Sequence, residues 1–298
     1  MSDKSGIQWT DATWNPVTGC SKVSQGCKNC YALRDWPRVA APRATPNAYT
    51  GREFTDVMFH PERLDQPLRW KKPRRVFVNS MSDLFHEKVP DEAIVEVFAV
   101  IAEASRHTFQ VLTKRPERMR ELLSDSAIED YITDSWRQRG QDRETWSLMF
   151  PLQNVWLGVS VEDQATADER IPLLLQTPAA VRFVSYEPAL GPVDFCSSHS
   201  EGFERHDGEW TLAHNYLTGF RATSPYSGID GPKLDWVIVG GESGPGARPC
   251  DVAWIRSAVE QCKAAGVACF VKQDSGKKPG LQGRIPDEYW IQEFPHAK

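Results

Sequence analysis

No stretch of this 298-residue chain reaches the ~18 consecutive apolar residues of a membrane-spanning helix. Its start, MSDKSGIQWTDATW, also lacks the basic and then apolar regions of a secretory leader. A cytoplasmic protein without a membrane partner is the expectation. Internal repeats and low-complexity tracts are missing, which sets aside solenoids, fibres and disordered tails. A basic excess is missing too. The 40 acidic residues outnumber the 35 basic ones for a formal charge of −5, so there is no broad electrostatic footprint for non-specific duplex binding. One short basic run, Trp70-Lys71-Lys72-Pro73-Arg74-Arg75, leaves a local nucleic-acid contact open.

The composition is that of an ordinary globular protein, 40% hydrophobic and 25% charged, at a length near the upper end of a single α/β barrel. Short β-branched runs alternate with stretches of helical period. Strands are expected at Arg75 to Ser80, Thr108 to Thr113, Asn154 to Val161, Ala180 to Tyr186, Asp235 to Gly240 and Val267 to Lys272. Helices are expected at Asp91 to Ser105, Pro116 to about Leu123, Asp163 to Leu175 and Val252 to Ala265. This alternation implies βαβ units and parallel pairing.

Polar residues follow nearly every run: Asn79, Ser80 and Asp83; Thr113, Lys114 and Arg115; Ser160 and Glu162; Ser185 and Glu187; Glu242 and Ser243; Lys272, Gln273 and Asp274. In a barrel such ends converge on one face, where active sites are built, whereas an open sheet would gather them near a switch point. Their spread along the chain favours an α/β fold with a parallel, partial TIM-type barrel, read as one domain over residues 1–298. Residues at about 124–150 and 195–233 break the alternation and read as loop insertions.

In a reducing compartment the seven cysteines do not read as a disulfide framework, and clustered ones point to metal or reactivity. Cys20, Cys27 and Cys30 form C-x6-C-x2-C in WNPVTGCSKVSQGCKNCYA, with Gly19 and Gly26 each directly before a cysteine. Three thiolates suit a [4Fe–4S] cluster that leaves one iron open. A structural zinc site prefers a closed tetrahedron, which His60 or His86 would have to complete after folding. Ordinary cysteines are the third alternative. Cys250, Cys262 and Cys269 read as small buried hydrophobes, and most of the eleven tryptophans as packing.

The blocks IQWTDATWNPVTGCSKVSQGCKNCYA, RWKKPRRVFVNSMSDLFHE, HTFQVLTKRPERM, NVWLGVSVEDQ, RFVSYEPALGPVD and DWVIVGGESGPGARP resemble a phage-derived three-cysteine-motif family of uncharacterised proteins, grouped with barrel-type radical S-adenosylmethionine enzymes. The resemblance implies that Cys20, Cys27 and Cys30 ligate the cluster and that S-adenosylmethionine is the second cofactor. The commonest motif of those enzymes has three residues between its first two cysteines and an aromatic directly before the third. Here the first gap is six residues, Asn29 precedes Cys30, and Tyr31 follows it as the candidate for stacking on adenine. Gly240-Gly241-Glu242 is similar to the glycine-glycine-acid motif that receives the cofactor's amino group, although it comes late in the chain.

The cofactor's cationic groups need acidic partners, for which Asp83, Glu162, Glu187 and Glu242 are candidates, and its carboxylate needs a donor such as Lys114, Arg115 or Lys272. Hydroxyl and amide groups of Asn79, Ser80, Ser160 and Gln273 suit a ribose or substrate. Asn79, Ser80, Asp83, Lys114, Ser160, Glu187 and Glu242 rank highest, and no residue is assigned a catalytic role. The expected partners are a nucleic-acid or nucleotide substrate and an electron donor, with the oligomeric state open. The rival expectation is a non-enzymatic protein whose cysteines hold structural zinc and which docks nucleic acid or another protein.

Overall fold

The computed structural model describes residues 5–42, 44–140, 149–196, 205–206, 209–210, 214–224 and 227–295. The chain's contacts divide it into two compact units, Met1–Val159 with Thr177–Ala180, and Ser160–Gln176 with Val181–Lys298. The polar run Arg137 to Arg143 lies only partly within the described residues.

Within the first unit, elements run β1 (Ala12–Trp14), β2 (Val17–Thr18), α1 (Tyr31–Ala40), β3 (Met58–Phe59), β4 (Arg75–Val78), α2 (Asp91–Glu103), β5 (Thr108–Thr113), α3 (Pro116–Leu123), α4 (Ile128–Gln138) and β6 (Val155–Val161), whose last two residues belong to the second unit. Strands β1, β4, β5 and β6 pair in that order, all parallel, while β2 and β3 form an antiparallel pair. Every residue of β6 is buried, the mark of a parallel strand covered on both faces. Helix α2 buries Ile94, Val97, Phe98, Val100 and Ile101, each worth roughly 1.5–3 kcal/mol when removed from water. Helix α4, inside the segment expected as an insertion, packs on α2 through a face that buries Ile128, Ile132 and Trp136.

The second unit contains α5 (Gln164–Gln176), β7 (Val181–Tyr186), β8 (Arg205–His206), β9 (Glu209–Trp210), β10 (Phe220–Ser224), β11 (Ser227–Asp230), β12 (Trp236–Gly240), α6 (Val252–Ala265) and β13 (Ala268–Gln273). Strands β7, β12 and β13 pair in parallel, and the segment at 195–233 holds two small antiparallel hairpins, β8–β9 and β10–β11. Residues 291–293 run back along β13, where Ile291 accepts from Val271 and Glu293 donates to Cys269, so they cover one side of that strand. Trp236 fixes this return by donating from Nε1 to the Glu293 carbonyl at 2.8 Å.

The six strands expected from apolar runs and the four expected helices all form, with ends shifted by at most two residues. Other elements carried no such signal. Among them β1 is only three residues long, and α1 and α4 are amphipathic helices in polar segments, the former with Pro37 inside it. The class is α/β with parallel strands, as expected. Trp9, Trp14, Trp36, Trp70 and Trp156 are all buried, in line with packing roles.

Helix α6 is bounded by two local signals. Asp251 Oδ1 accepts from the Ala253 N–H at 2.9 Å, and Gly266 ends the helix in the left-handed conformation at φ 66°. Replacing Asp251 with Ala should cost about 1 kcal/mol, read as a lower urea midpoint of the full chain with an unchanged slope.

Candidate functional site

The cysteine loop is placed by the short strands that flank it. After β1 leaves the sheet, β2 pairs with β3, and Gly19 then bridges Ser82 at the end of β4. Gly19 adopts φ 89°, and a Cβ there would stand 2.5 Å from the Asp56 carbonyl oxygen, so only glycine fits. Its N–H donates to Met81 O at 3.1 Å and that of Cys20 to Phe54 O at 2.8 Å. A short turn over Gln25–Cys27 follows, and Cys30 stands directly before α1.

This path makes the three cysteines neighbours. Cys20 and Cys30 pack against the same cluster of Ala32, Trp36 and Phe54, and Cys27 is close enough to Cys20 to act on it electrostatically. All three are free and half-buried. Burial pushes the Cys20 thiol up to about 12, the Asp83 carboxylate adds to this, and the Arg115 guanidinium opposes it. Among the described residues, no group of three or more His, Cys, Asp or Glu side chains is gathered as a metal site.

Beside Cys20 lies a dense polar network in which Asp83, Thr113 and Arg115, expected as strand-end candidates, and His86 meet Ser21 and Glu87, which the sequence reading did not single out. Arg115 directs Nη1 at Cys20 Sγ (3.8 Å) and Asp83 Oδ2 (3.2 Å), Nη2 at Ser21 Oγ (2.8 Å), and Nε at Glu87 Oε2 (3.0 Å). Asp83 also accepts from Thr113 Oγ1 at 2.7 Å and from the N–H groups of Phe85 and Lys114 at 3.0 Å each. Ser21 Oγ lies 2.9 Å from His86 Nε2. Because His86 Nδ1 accepts from the Lys88 N–H at 3.1 Å, the imidazole carries its proton on Nε2 and donates to Ser21. This pair is therefore not a base-activated nucleophile. Thr113, Arg115, His86 and Glu87 lie in the TKRP and FHE runs, but nothing in their spacing showed that they would meet Ser21 beside Cys20.

The same accounting covers His60. Its Nε2 lies 2.8 Å from Thr18 Oγ1 and its Nδ1 3.2 Å from Glu62 Oε1, so both ring nitrogens of His60, like those of His86, are engaged. To close a zinc tetrahedron, either imidazole would have to give up one of these bonds.

Of the expected strand-end residues, the first unit gathers several near the cysteines. Tyr31 donates its hydroxyl to the Ser80 carbonyl, and Ser80 Oγ donates to Asn15 Oδ1 at 3.2 Å. Asn79 adopts φ 61° and is 3% exposed, with Oδ1 accepting from the Val17 N–H at 3.2 Å and Nδ2 buried without a partner. A buried amide donor left unpaired costs about 1–3 kcal/mol, and such a position marks a place for an acceptor.

The second unit holds the rest, and there internal partners account for the side chains. Ser160 Oγ donates to the Glu187 carbonyl at 3.2 Å, and the Glu187 carboxylate pairs with Lys272 at 2.9 Å. Glu162 and Arg170 form a buried pair at 3.3 Å. Glu242 accepts from Arg248 three times, from the backbone N–H, Nε and Nη2 at 2.8, 3.0 and 2.6 Å. A Cβ on Gly241 would lie 2.4 Å from the Ser275 nitrogen, and one on Gly240 3.2 Å from the Gln273 carbonyl oxygen, so close backbone passage explains both glycines. The basic run is engaged in part: Trp70 is buried, Arg74 stacks on its ring at 5.1 Å and Arg75 pairs with Asp11 at 3.2 Å, while Lys71 and Lys72 are exposed.

One family model matches the chain, described as "Protein of unknown function (DUF5131)", over residues 4–291. No curated protein and no solved structure matches it. The uncharacterised family expected from the motifs is shown by this match, whose description names neither a phage source nor S-adenosylmethionine.

Burial, with Arg63 nearby, pushes the His60 pKa down to about 4 from its ordinary 6.5. An unfolded His60 binds a proton below pH 6.5 and the folded one only near 4, so this group removes stability as pH falls through that window and contributes nothing above it. In urea melts between about pH 7 and about pH 4, which span that window, His60→Asn should flatten the loss of stability with acid. The loss should not vanish, because burial depresses His86 and His107 in the same direction.

Proposed function

The chain belongs to the DUF5131 family of proteins of unknown function, and from that premise we propose that it is a radical S-adenosylmethionine enzyme whose cluster is held by Cys20, Cys27 and Cys30. The observation that carries this reading is a loop that makes three free thiols neighbours while the two nearby histidines and the Asp83 carboxylate hold other partners. His60 and His86 use both ring nitrogens, and the Asp83 carboxylate accepts from four donors. A zinc tetrahedron lacks its fourth corner in such a setting, whereas a three-thiolate cluster needs none.

The donor set fits a [4Fe–4S] cluster in chemistry and neighbourhood. The sulfurs are not gathered at ligating geometry, so they must converge on loading, and Cys20, a protonated thiol at neutral pH, must release its proton to the solvent as metal arrives. Once bound and reduced, such a cluster would supply the one electron needed to cleave S-adenosylmethionine into methionine and a 5′-deoxyadenosyl radical.

The chain's own residues have more modest tasks. Gly19 turns the loop in, the Ala32, Trp36 and Phe54 cluster shields Cys20 and Cys30 from water, and Tyr31 is tied to Ser80 beside them. The unpaired Asn79 Nδ2 is the donor we assign to the cofactor's ribose or to substrate, and Lys114 remains the candidate for its carboxylate. Because Ser160, Glu187 and Glu242 have partners within the second unit, a role for them requires exchanging one bond for another. We also propose that the parallel strands form a partial TIM-type barrel. A nucleic-acid base or nucleotide as substrate, and an electron-donor partner, rest on the family resemblance, since Arg74 and Arg75 of the basic run are engaged internally.

Anaerobic reconstitution with ferrous iron and sulfide should load iron and sulfide in equal amounts on the native protein and much less on Cys27→Ser, while both stay folded. Dithionite and S-adenosylmethionine should then release 5′-deoxyadenosine from the native protein only. One zinc with no iron, or a Cys27→Ser protein whose N-terminal segment unfolds, would support structural zinc instead.

A further inference from the structure

Arg115 occupies a position that the cluster reading does not by itself require. It stands at the junction of β5 and α3, where its N–H donates to Thr113 Oγ1 at 2.8 Å, and its side chain is 12% exposed. The guanidinium reaches back across 95 positions of chain to Cys20. Asp83 holds it from one side and Glu87 from another, and Asp83 is itself fixed by Thr113, Phe85 and Lys114. Ser21 receives Nη2 at its hydroxyl and at its carbonyl (3.4 Å), while His86 orients that hydroxyl. A planar fork is needed to serve a sulfur, a carboxylate and a hydroxyl together, and a lysine ammonium lacks that shape.

We propose that Arg115 is a positioning residue for the first cysteine of the motif: it fixes the Cys20–Ser21 segment and donates an N–H···S hydrogen bond, with its charge, to the Cys20 sulfur. The inference rests on the cluster reading above and adds a residue to it. A donor and a positive charge beside a ligating sulfur favour the more negative, reduced state of an iron–sulfur centre, so they raise its reduction potential. Partners outside the ligand shell also hold metal in place, and their loss typically weakens retention by about 10–100-fold.

The test uses the reconstituted full-length protein, with its midpoint potential followed by electron paramagnetic resonance and iron release followed with a ferrous chelator. Arg115→Gln, which removes the charge, should give a more negative potential and release iron about 10–100-fold faster than the native protein. Arg115→Lys, which keeps charge for Asp83 but not the fork, should fall between the two. Ser21→Ala removes a single anchor of the guanidinium and should shift both readouts the same way by less, which keeps the test open if Arg115→Gln fails to fold. Folded Arg115→Lys and Ser21→Ala proteins with native potential and native iron release would overturn the inference while leaving the cluster reading intact. A native protein that binds no iron overturns both.

Discussion

Parallel pairing of β1 with β4 sets Trp14 opposite Val78, and everything around the cysteine loop depends on that register. The strand is only three residues long, so its own ladder is a weak anchor. Burial of Ala12 and Trp14, both fully enclosed, supplies what the ladder does not. With the register set, the chain reaches Gly19 beside Ser82, and Cys20 comes to rest next to the residues that leave β4 and β5. Slipping that pairing by one residue would turn Trp14 to the other face and carry the loop away from Asp83 and Arg115.

A common electrostatic solution recurs at the strand ends. Asp83 pairs with Arg115, Glu162 with Arg170, Glu187 with Lys272, Glu242 with Arg248 and Asp274 with Arg284. Each acid is at least largely buried, and a carboxylate in that setting is tolerated only with a cation and further donors at hand. Strand-end charge is thus mostly spent on internal pairs, so in the proposed reading ligand recognition falls to the Asn79 amide, Lys114 and the sulfurs. Cys20 shows the same tension in reverse. Burial and Asp83 keep its proton on, Arg115 opposes them, and a metal would complete the displacement.

Much of the scaffold was legible from local pattern. The apolar runs at Val76 to Val78, Val155 to Val161 and Trp236 to Gly240 read as strands because they are short, rich in β-branched and aromatic residues and covered on both faces. The Asp251 cap and Gly266 stop bound α6 for reasons confined to a few neighbouring residues. Illegible elements were those whose stability comes from partners far along the chain. β1 has too few residues to show a period, and α4 forms because α2 offers an apolar face to Ile128, Ile132 and Trp136.

The cysteine cluster divides in the same way. Its spacing, its preceding glycines and the polar character of the strand ends are properties of contiguous residues, and they were readable because turn geometry and ligand type act over a few positions. That the ring nitrogens of His60 and His86 hold other partners, that the acid of Gly240-Gly241-Glu242 is taken by Arg248, and that Arg115 lies against Cys20 follow from folding alone. Hydrogen bonds and ion pairs are made between groups that strand register brings within about 3 Å, and no local pattern carries that information across tens of residues.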